Sequence, residues 1–305
     1  MPELLEVAGL DRISSAAVWG GILYASYAFM QFLFSPIIGN FSDAVGRRPI
    51  ILFSLFLMML DYLLLAFASS IWIFLIGRMI GGIAGGTVPT AMAFLADVSS
   101  PEDRAKNFGL IGAAFGIGFI FGPAIGGILG EIDFRAPFFA AAACAFMSFI
   151  FALFFLPESL EKNDRRHFFM SGLNPFKSLR GVFSFKETRI IFFCFFLIKL
   201  SSWVYPAIWS FWGKETFGWS AGMIGFSLAC YGVGIALVQG LVIRLPIISQ
   251  MEPRRVILIS ILLGALALIS FGFTKVWWVV FFIIPFSAMS ELLTPTLDGF
   301  LSNRV

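Results

Sequence analysis

Histidine, cysteine and charge are all scarce in this chain. His167 is the only histidine, so the two-histidine HExxH arrangement of a zinc protease has no material here. The three cysteines, Cys144, Cys194 and Cys230, lie inside apolar runs with no CxxC spacing and no Cys/His cluster. They read as packing residues, with no disulfide or metal set. Asp61 is the only aspartate deep in an apolar run, whereas an intramembrane aspartyl protease needs two that face each other, and no G-x-S-x-G elbow is evident. No catalytic residue is assigned, and the expectation is a protein that is not an enzyme. Residues 1–15 carry Glu3, Glu6 and Asp11 without a basic stretch before an apolar core, so they do not read as a signal peptide.

What is abundant is apolar surface. The chain of 305 residues is 59% hydrophobic and 13% charged, with 39 Phe and a mean hydropathy of +0.92. A soluble domain of this size needs far more polar surface. The apolar residues come in runs of about 20, the length that crosses a bilayer core as a helix, and helices satisfy their own backbone groups in lipid. Nine spans are expected, at roughly 17–38, 49–68, 71–95, 107–130, 137–156, 190–210, 221–243, 256–273 and 276–298. The fold class is therefore an all-α membrane protein. The polar, basic stretch 157–189 divides an N-terminal bundle of five spans (1–156) from a C-terminal bundle of four (190–305).

The net charge of +3 is a topology signal and does not indicate a nucleic-acid partner. Of 21 Lys and Arg, fifteen fall in loops after spans one, three, five, seven and nine, and four on the opposite side. That asymmetry places the 157–189 loop in the cytoplasm. A weak internal repeat has the same sense, because Ser42 to Arg48 echoes Ser249 to Arg255, each segment ending in paired arginines before an apolar run.

Two motifs carry chemistry. The first loop runs Gly39-Asn-Phe-Ser-Asp43-Ala-Val-Gly46-Arg47-Arg48-Pro49. Gly46 permits a tight turn, Asp43 is expected near a helix N-terminus, and Arg47 has carboxylates in the next cytoplasmic loop to pair with. In span four, Gly118, Gly122, Gly126 and Gly130 recur every four residues with Pro123 beside them. That pattern predicts a smooth packing face and a kink.

The spacing G-x3-D-x2-G-R-R-P is the signature loop of the major facilitator superfamily, and the chain resembles the tetracycline efflux proteins of that superfamily nearly end to end. The resemblance runs through YAFMQFLFSP, LDY around Asp61, GRMIGGIAGG from Gly77, ADVSSPEDRAKNFG from Ala96, GIGFIFGPAIGG from Gly116 and WSAGMIGFSLACYG from Trp219. It implies the major facilitator fold, in which Gly39, Asp43, Gly46, Arg47 and Asp97 form a cytoplasmic charge latch between helices. It also implies that Gly118, Gly122, Pro123, Gly126 and Gly127 form the antiporter motif of drug exporters. The implied activity is export of a tetracycline-type drug in exchange for protons by alternating access, in a bacterial inner membrane. No cofactor is implied beyond the proton gradient, and the substrate is a divalent-cation–tetracycline chelate; the partners are that small molecule, protons and the lipid bilayer. The family has twelve helices, and the chain reads as lacking the first and the last two. A non-transporting remnant and a nutrient importer on the same fold are the alternatives.

Charges at membrane depth cost several kcal/mol unless paired or wetted, which makes each a functional candidate. Asp61 and Arg78 both lie ~10 Å below the outer surface on consecutive antiparallel spans, and are expected to pair. Lys199 and Glu291 match in depth within ~3 Å. If the family arrangement holds, Arg78, Lys199 and Glu291 face a water-filled path, with Glu291 or Asp61 as the proton-exchanging acid. Gln31 and Gln239 read as interhelical hydrogen-bond partners, Gln31 also as a lining candidate for that path. Trp203, Tyr205, Trp209 and Trp212 read as an interfacial belt.

Overall fold

The structure is a computed structural model that describes residues 13–100, 102–166, 168, 174–176 and 186–296. Among the described residues it is helical throughout, with no strand. Ten helices form the body: α1 (Ile13–Val45), α2 (Arg47–Phe67), α3 (Ile71–Gly85), α4 (Val88–Val98), α5 (Arg104–Ile132), α6 (Ala136–Phe155), α7 (Lys186–Phe217), α8 (Ala221–Gly240), α9 (Pro253–Phe273) and α10 (Val279–Met289). Among the described residues, eight segments are long and apolar enough to cross a membrane. They coincide with eight of the nine expected spans, and the remaining one, 190–210, lies within α7.

The span ends differ from expectation in an informative way. Gly39 to Val45 is not a loop, because α1 continues through it without a break. The chain turns at a single residue, Gly46, and α2 begins at Arg47. Gly46 has φ 116, a region closed to residues with a Cβ except at a cost. Asp43 therefore sits in the last turn of α1 and not at a helix N-terminus. The macrodipole disfavours a carboxylate there, so a tertiary partner has to hold it.

The third span breaks at Gly86–Thr87 into α3 and α4. Pro89 in the first turn of α4 is the cause, since it has no N–H for the carbonyl of Gly85 four residues back. The Gln31 side-chain amide donates to that carbonyl at 3.1 Å, and the Ser54 hydroxyl donates to the Ala84 carbonyl at 2.8 Å. Gln31 thus makes the interhelical bond expected of it, and a broken helix keeps its carbonyls satisfied in an apolar setting. Gln239 is exposed. Span nine is also irregular: α10 contains Pro285 and passes into a 3-10 turn at Ser290–Leu292, which carries Glu291.

The chain packs as two units. One comprises Met1–Leu110 with Asp133–Phe211, the other Ile111–Ile132 with Trp212–Val305. Most of span four groups with the C-terminal helices, and most of α7 with the N-terminal ones. In the first unit Leu65 and Phe74 are fully buried, in one cluster with Ala16, Leu23, Ala68 and Phe211. Gly20 lets the Phe211 ring pack against α1, where a Cβ would come within 2.7 Å of it. In the second unit Val238, Val256, Ala288 and Leu292 form the core, and α5 meets α8 backbone to backbone. A Cβ on Gly127 would stand 2.9 Å from the Ala221 carbonyl oxygen and 3.0 Å from Gly225 Cα. Such contact needs glycine on both helices.

Trp209 departs from the interfacial reading. It is 5% exposed, whereas Trp203 is exposed and stands 6.2 Å, ring to ring, from Tyr24. Trp212 lies against Phe217, Trp219 and Phe271 in edge-on aromatic contacts. The side chain of Tyr205 lies outside the described residues.

Candidate functional site

At one end of the first unit, four chain segments converge on Arg47. Its guanidinium is buried, and it donates from Nη1 to Asp43 Oδ1 and Ser42 Oγ and from Nε to Asp97 Oδ2 at 3.2 Å. Asp43 and Ser42 come from the end of α1, Asp97 from the last turn of α4, and Arg47 from the first residue of α2. The planar fork of arginine allows one side chain to join three acceptors. A second carboxylate completes the cluster from outside the signature loop. Glu158 accepts the backbone N–H of Arg47 at 2.8 Å and of Arg48 at 3.3 Å, capping an N-terminus that has no side-chain cap of its own. The Ser159 hydroxyl donates to Asp97 Oδ2 at 3.1 Å, and the backbone N–H of Arg166 donates to the Asp43 carbonyl at 3.0 Å.

Gly46 is held twice in this cluster, by its φ and by the Glu158 carboxylate, which would overlap a Cβ on it. Gly46→Ala is expected to cost about 1–3 kcal/mol from backbone strain alone, with displacement of Glu158 added. Thermal unfolding in detergent checks this, and an unchanged Tm would contradict it. Gly39, in contrast, has nothing within 4 Å of where its Cβ would be; it is part of α1 and takes no part in the cluster.

The second constellation is inside the first unit at membrane depth. The Arg78 Nη2 and Asp61 Oδ2 atoms are 2.6 Å apart, with side-chain exposures of 19% and 4%. Equal depth on consecutive spans is thus accompanied by matching azimuth. Arg78 also lies over the Tyr27 ring at 5.6 Å, a cation–π contact that strengthens away from water. Asp61 Oδ1 and Arg78 Nε are both buried without a hydrogen-bond partner, so the pair holds unused accepting and donating capacity.

In the second unit, Glu291 is half-buried and accepts the Tyr231 hydroxyl at 3.1 Å. The Lys199 side chain lies outside the described residues, so the expected Lys199–Glu291 pair does too. In span four, Gly127 makes a close helix contact. Gly118, Gly122 and Gly126 have nothing within 4 Å, and Pro123 enters the contact through its carbonyl oxygen, which would overlap a Cβ on Gly225. The contact therefore runs along Pro123 and Gly127, beside the expected face of Gly118, Gly122 and Gly126 and not on it. Where α5 ends, Glu131 accepts from the Ser220 hydroxyl at 2.6 Å and the Gly222 N–H at 3.2 Å.

Sequence reasoning missed Glu158, Tyr27 and Glu131. Glu158 had a signal, since Pro157-Glu158-Ser159 places an acid at the very end of a span, where a loop with a basic excess begins. Tyr27 and Glu131 had none, because a tyrosine in a span and an acid at its end are both ordinary in one dimension.

Comparison with known proteins accords with this architecture. The Major Facilitator Superfamily model matches residues 13–305. The class C tetracycline resistance protein of Escherichia coli is 37% identical over 306 residues, covering 100% of this chain and 76% of that protein. The class B protein of Escherichia coli is 34% identical, covering 92% and 70%. Multidrug resistance protein 2 of Bacillus subtilis is 29% identical, covering 99% and 75%. The crystal structure of the human organic anion transporter MFSD10 (TETRAN) shares the fold with a TM-score of 0.69 at 23% identity, covering 99% of this chain and 80% of that one. The latch spacing, the helical scaffold and the full-length similarity together place the chain in the major facilitator superfamily, among the tetracycline resistance proteins.

Proposed function

We propose that this transporter exports a tetracycline-type drug in exchange for protons by alternating access, in a bacterial inner membrane. The observation that carries the reading is Asp61, an acid 3% exposed at membrane depth and paired with a cation it can release. Antiport needs a group that binds either a proton or its competitor, and a carboxylate facing a guanidinium has two such states. Glu291 beside Tyr231 is the second acid at membrane depth. Acids of this kind suit a cationic cargo, which supports the drug travelling as a divalent-cation chelate, with no cofactor beyond the proton gradient. The Arg47 cluster supports alternating access, because bonds between helix ends can break and re-form as the helices move.

The test is tetracycline uptake into inverted membrane vesicles driven by a pH gradient. Asp61→Asn and Glu291→Gln are the decisive variants. Loss of gradient-driven uptake in either identifies the proton-exchanging acid. If both variants transport like the parent, these acids do not carry the proton. If the parent itself gives no uptake, the drug assignment fails.

A further inference from the structure

The Asp61 carboxylate rests against a helix surface that carries no side chain. Gly77 and Gly81 are one turn apart on α3, both buried, on either side of Arg78 in sequence. A Cβ on Gly81 would overlap Asp61 Oδ2 and lie 2.9 Å from Cγ; a Cβ on Gly77 would lie 3.2 Å from Oδ1 and 3.1 Å from Leu65 Cδ2. Asp61 is short and its Cγ is one bond from Cβ, so it has little room to yield. Any side chain at 81 forces the carboxylate to rotate away, and the 2.6 Å contact with Arg78 is what that rotation breaks.

We infer that Gly81 is a positioning residue for the exchange step: by presenting bare backbone, it admits the Asp61 carboxylate to the Arg78 guanidinium and thereby holds the two groups in contact. The inference rests on the antiport reading and deepens it. The groups facing the pair are Arg78 from α3, Tyr24 and Tyr27 from α1 and Tyr62 from α2 itself, with Cys144 of α6 next to Tyr62. Among the described residues none of them is a second cation. The Asp61–Arg78 contact therefore depends on the space that lets the two meet. Gly77 contributes to the same slot more weakly, because the 3.2 Å approach is to Oδ1, the oxygen that makes no hydrogen bond.

The experiment uses the full chain in membrane vesicles and two readouts. The first is modification of Asp61 by a hydrophobic carbodiimide at pH 7, followed by peptide mass spectrometry, because that reagent attacks protonated carboxyls in apolar surroundings. The second is the pH profile of gradient-driven tetracycline uptake. Gly81→Ala is expected to raise the rate of Asp61 modification several-fold, because a carboxylate kept from the guanidinium loses the partner that favours its charged form, and to displace the pH profile. In the Asp61→Asn background the same substitution is expected to change uptake no further. Gly77→Ala should act in the same direction with a smaller effect. Gly21→Ala, where nothing lies within 4 Å, should leave both readouts unchanged. If Gly81→Ala does not reach the membrane, Gly77→Ala decides by the same measurements. Unchanged modification in a membrane-inserted variant overturns the positioning role even where the parent transports the drug. Faster modification without tetracycline uptake by the parent keeps the positioning role and removes the drug assignment.

Discussion

Arg78→Ala is expected to destabilise the protein by about 3–5 kcal/mol and to abolish transport, the larger of the effects foreseen for any single side chain. Its basis is the asymmetry of buried ion pairs. Forming one gains little against well-packed apolar residues, but removing one member strands the other in a medium that cannot solvate it. Asp61 is 3% exposed, and among the described residues the groups left around it after the substitution are tyrosines and glycines. The double variant Arg78→Ala/Asp61→Ala removes both charges and should regain most of the lost stability while remaining inactive. Thermal unfolding in detergent gives the first quantity and vesicle uptake the second. A double variant as unstable as Arg78→Ala would show that the stranded charge is not the cause. A double variant that transports would show that the pair is structural only.

Arg47→Lys is expected to keep the positive charge and lose most of the latch. A guanidinium reaches Asp43, Ser42 and Asp97 from two nitrogens set by its plane; an ammonium is a point donor on a flexible stem and cannot match that geometry. Charge-assisted hydrogen bonds contribute about 1.5–3 kcal/mol each. The Asp43 and Asp97 side chains are 35% and 26% exposed, so solvent screening brings the net loss to the lower end of that range, about 1–2 kcal/mol. That is roughly tenfold in any equilibrium the cluster controls. Hydrogen exchange should speed up at the amides of Arg47 and Arg48, which Glu158 caps, and at the end of α4, and uptake should fall by a similar factor. Unchanged exchange at those amides would mean that Glu158 alone holds the helix ends.

The Arg47 cluster also shows what a motif does and does not convey. The spacing from Gly39 to Pro49 identifies the family and singles out Asp43, Gly46 and Arg47. It implies a loop, yet only Gly46 leaves the helical conformation, and Gly39, which opens the motif, is a helical residue with open space beside it. The carboxylate that caps α2 comes from residue 158, which no local pattern connects to residue 47. Similarly, Gln31 reads as a polar residue in search of a helix partner. Only the break imposed by Pro89 supplies the free carbonyl it bonds.

By itself, the sequence determined the spans, their expected orientation, the family and the residues that carry charge into the apolar layer. Run length, Lys and Arg placement and motif spacing are one-dimensional quantities, and bilayer thickness and helical rise convert them directly into depth. Tertiary structure decided what shares a depth and also shares a face. It turned Asp61 towards Arg78, put Tyr27 beneath the guanidinium, buried Trp209, and brought Gly127, beside the glycine stripe, against α8. The reason is that an all-round apolar helix has no preferred rotation of its own; its azimuth is settled when small residues allow close approach and buried polar groups find partners. The slot formed by Gly77 and Gly81 is of that kind: two ordinary glycines in the sequence, and in the fold the space that the Asp61 carboxylate occupies.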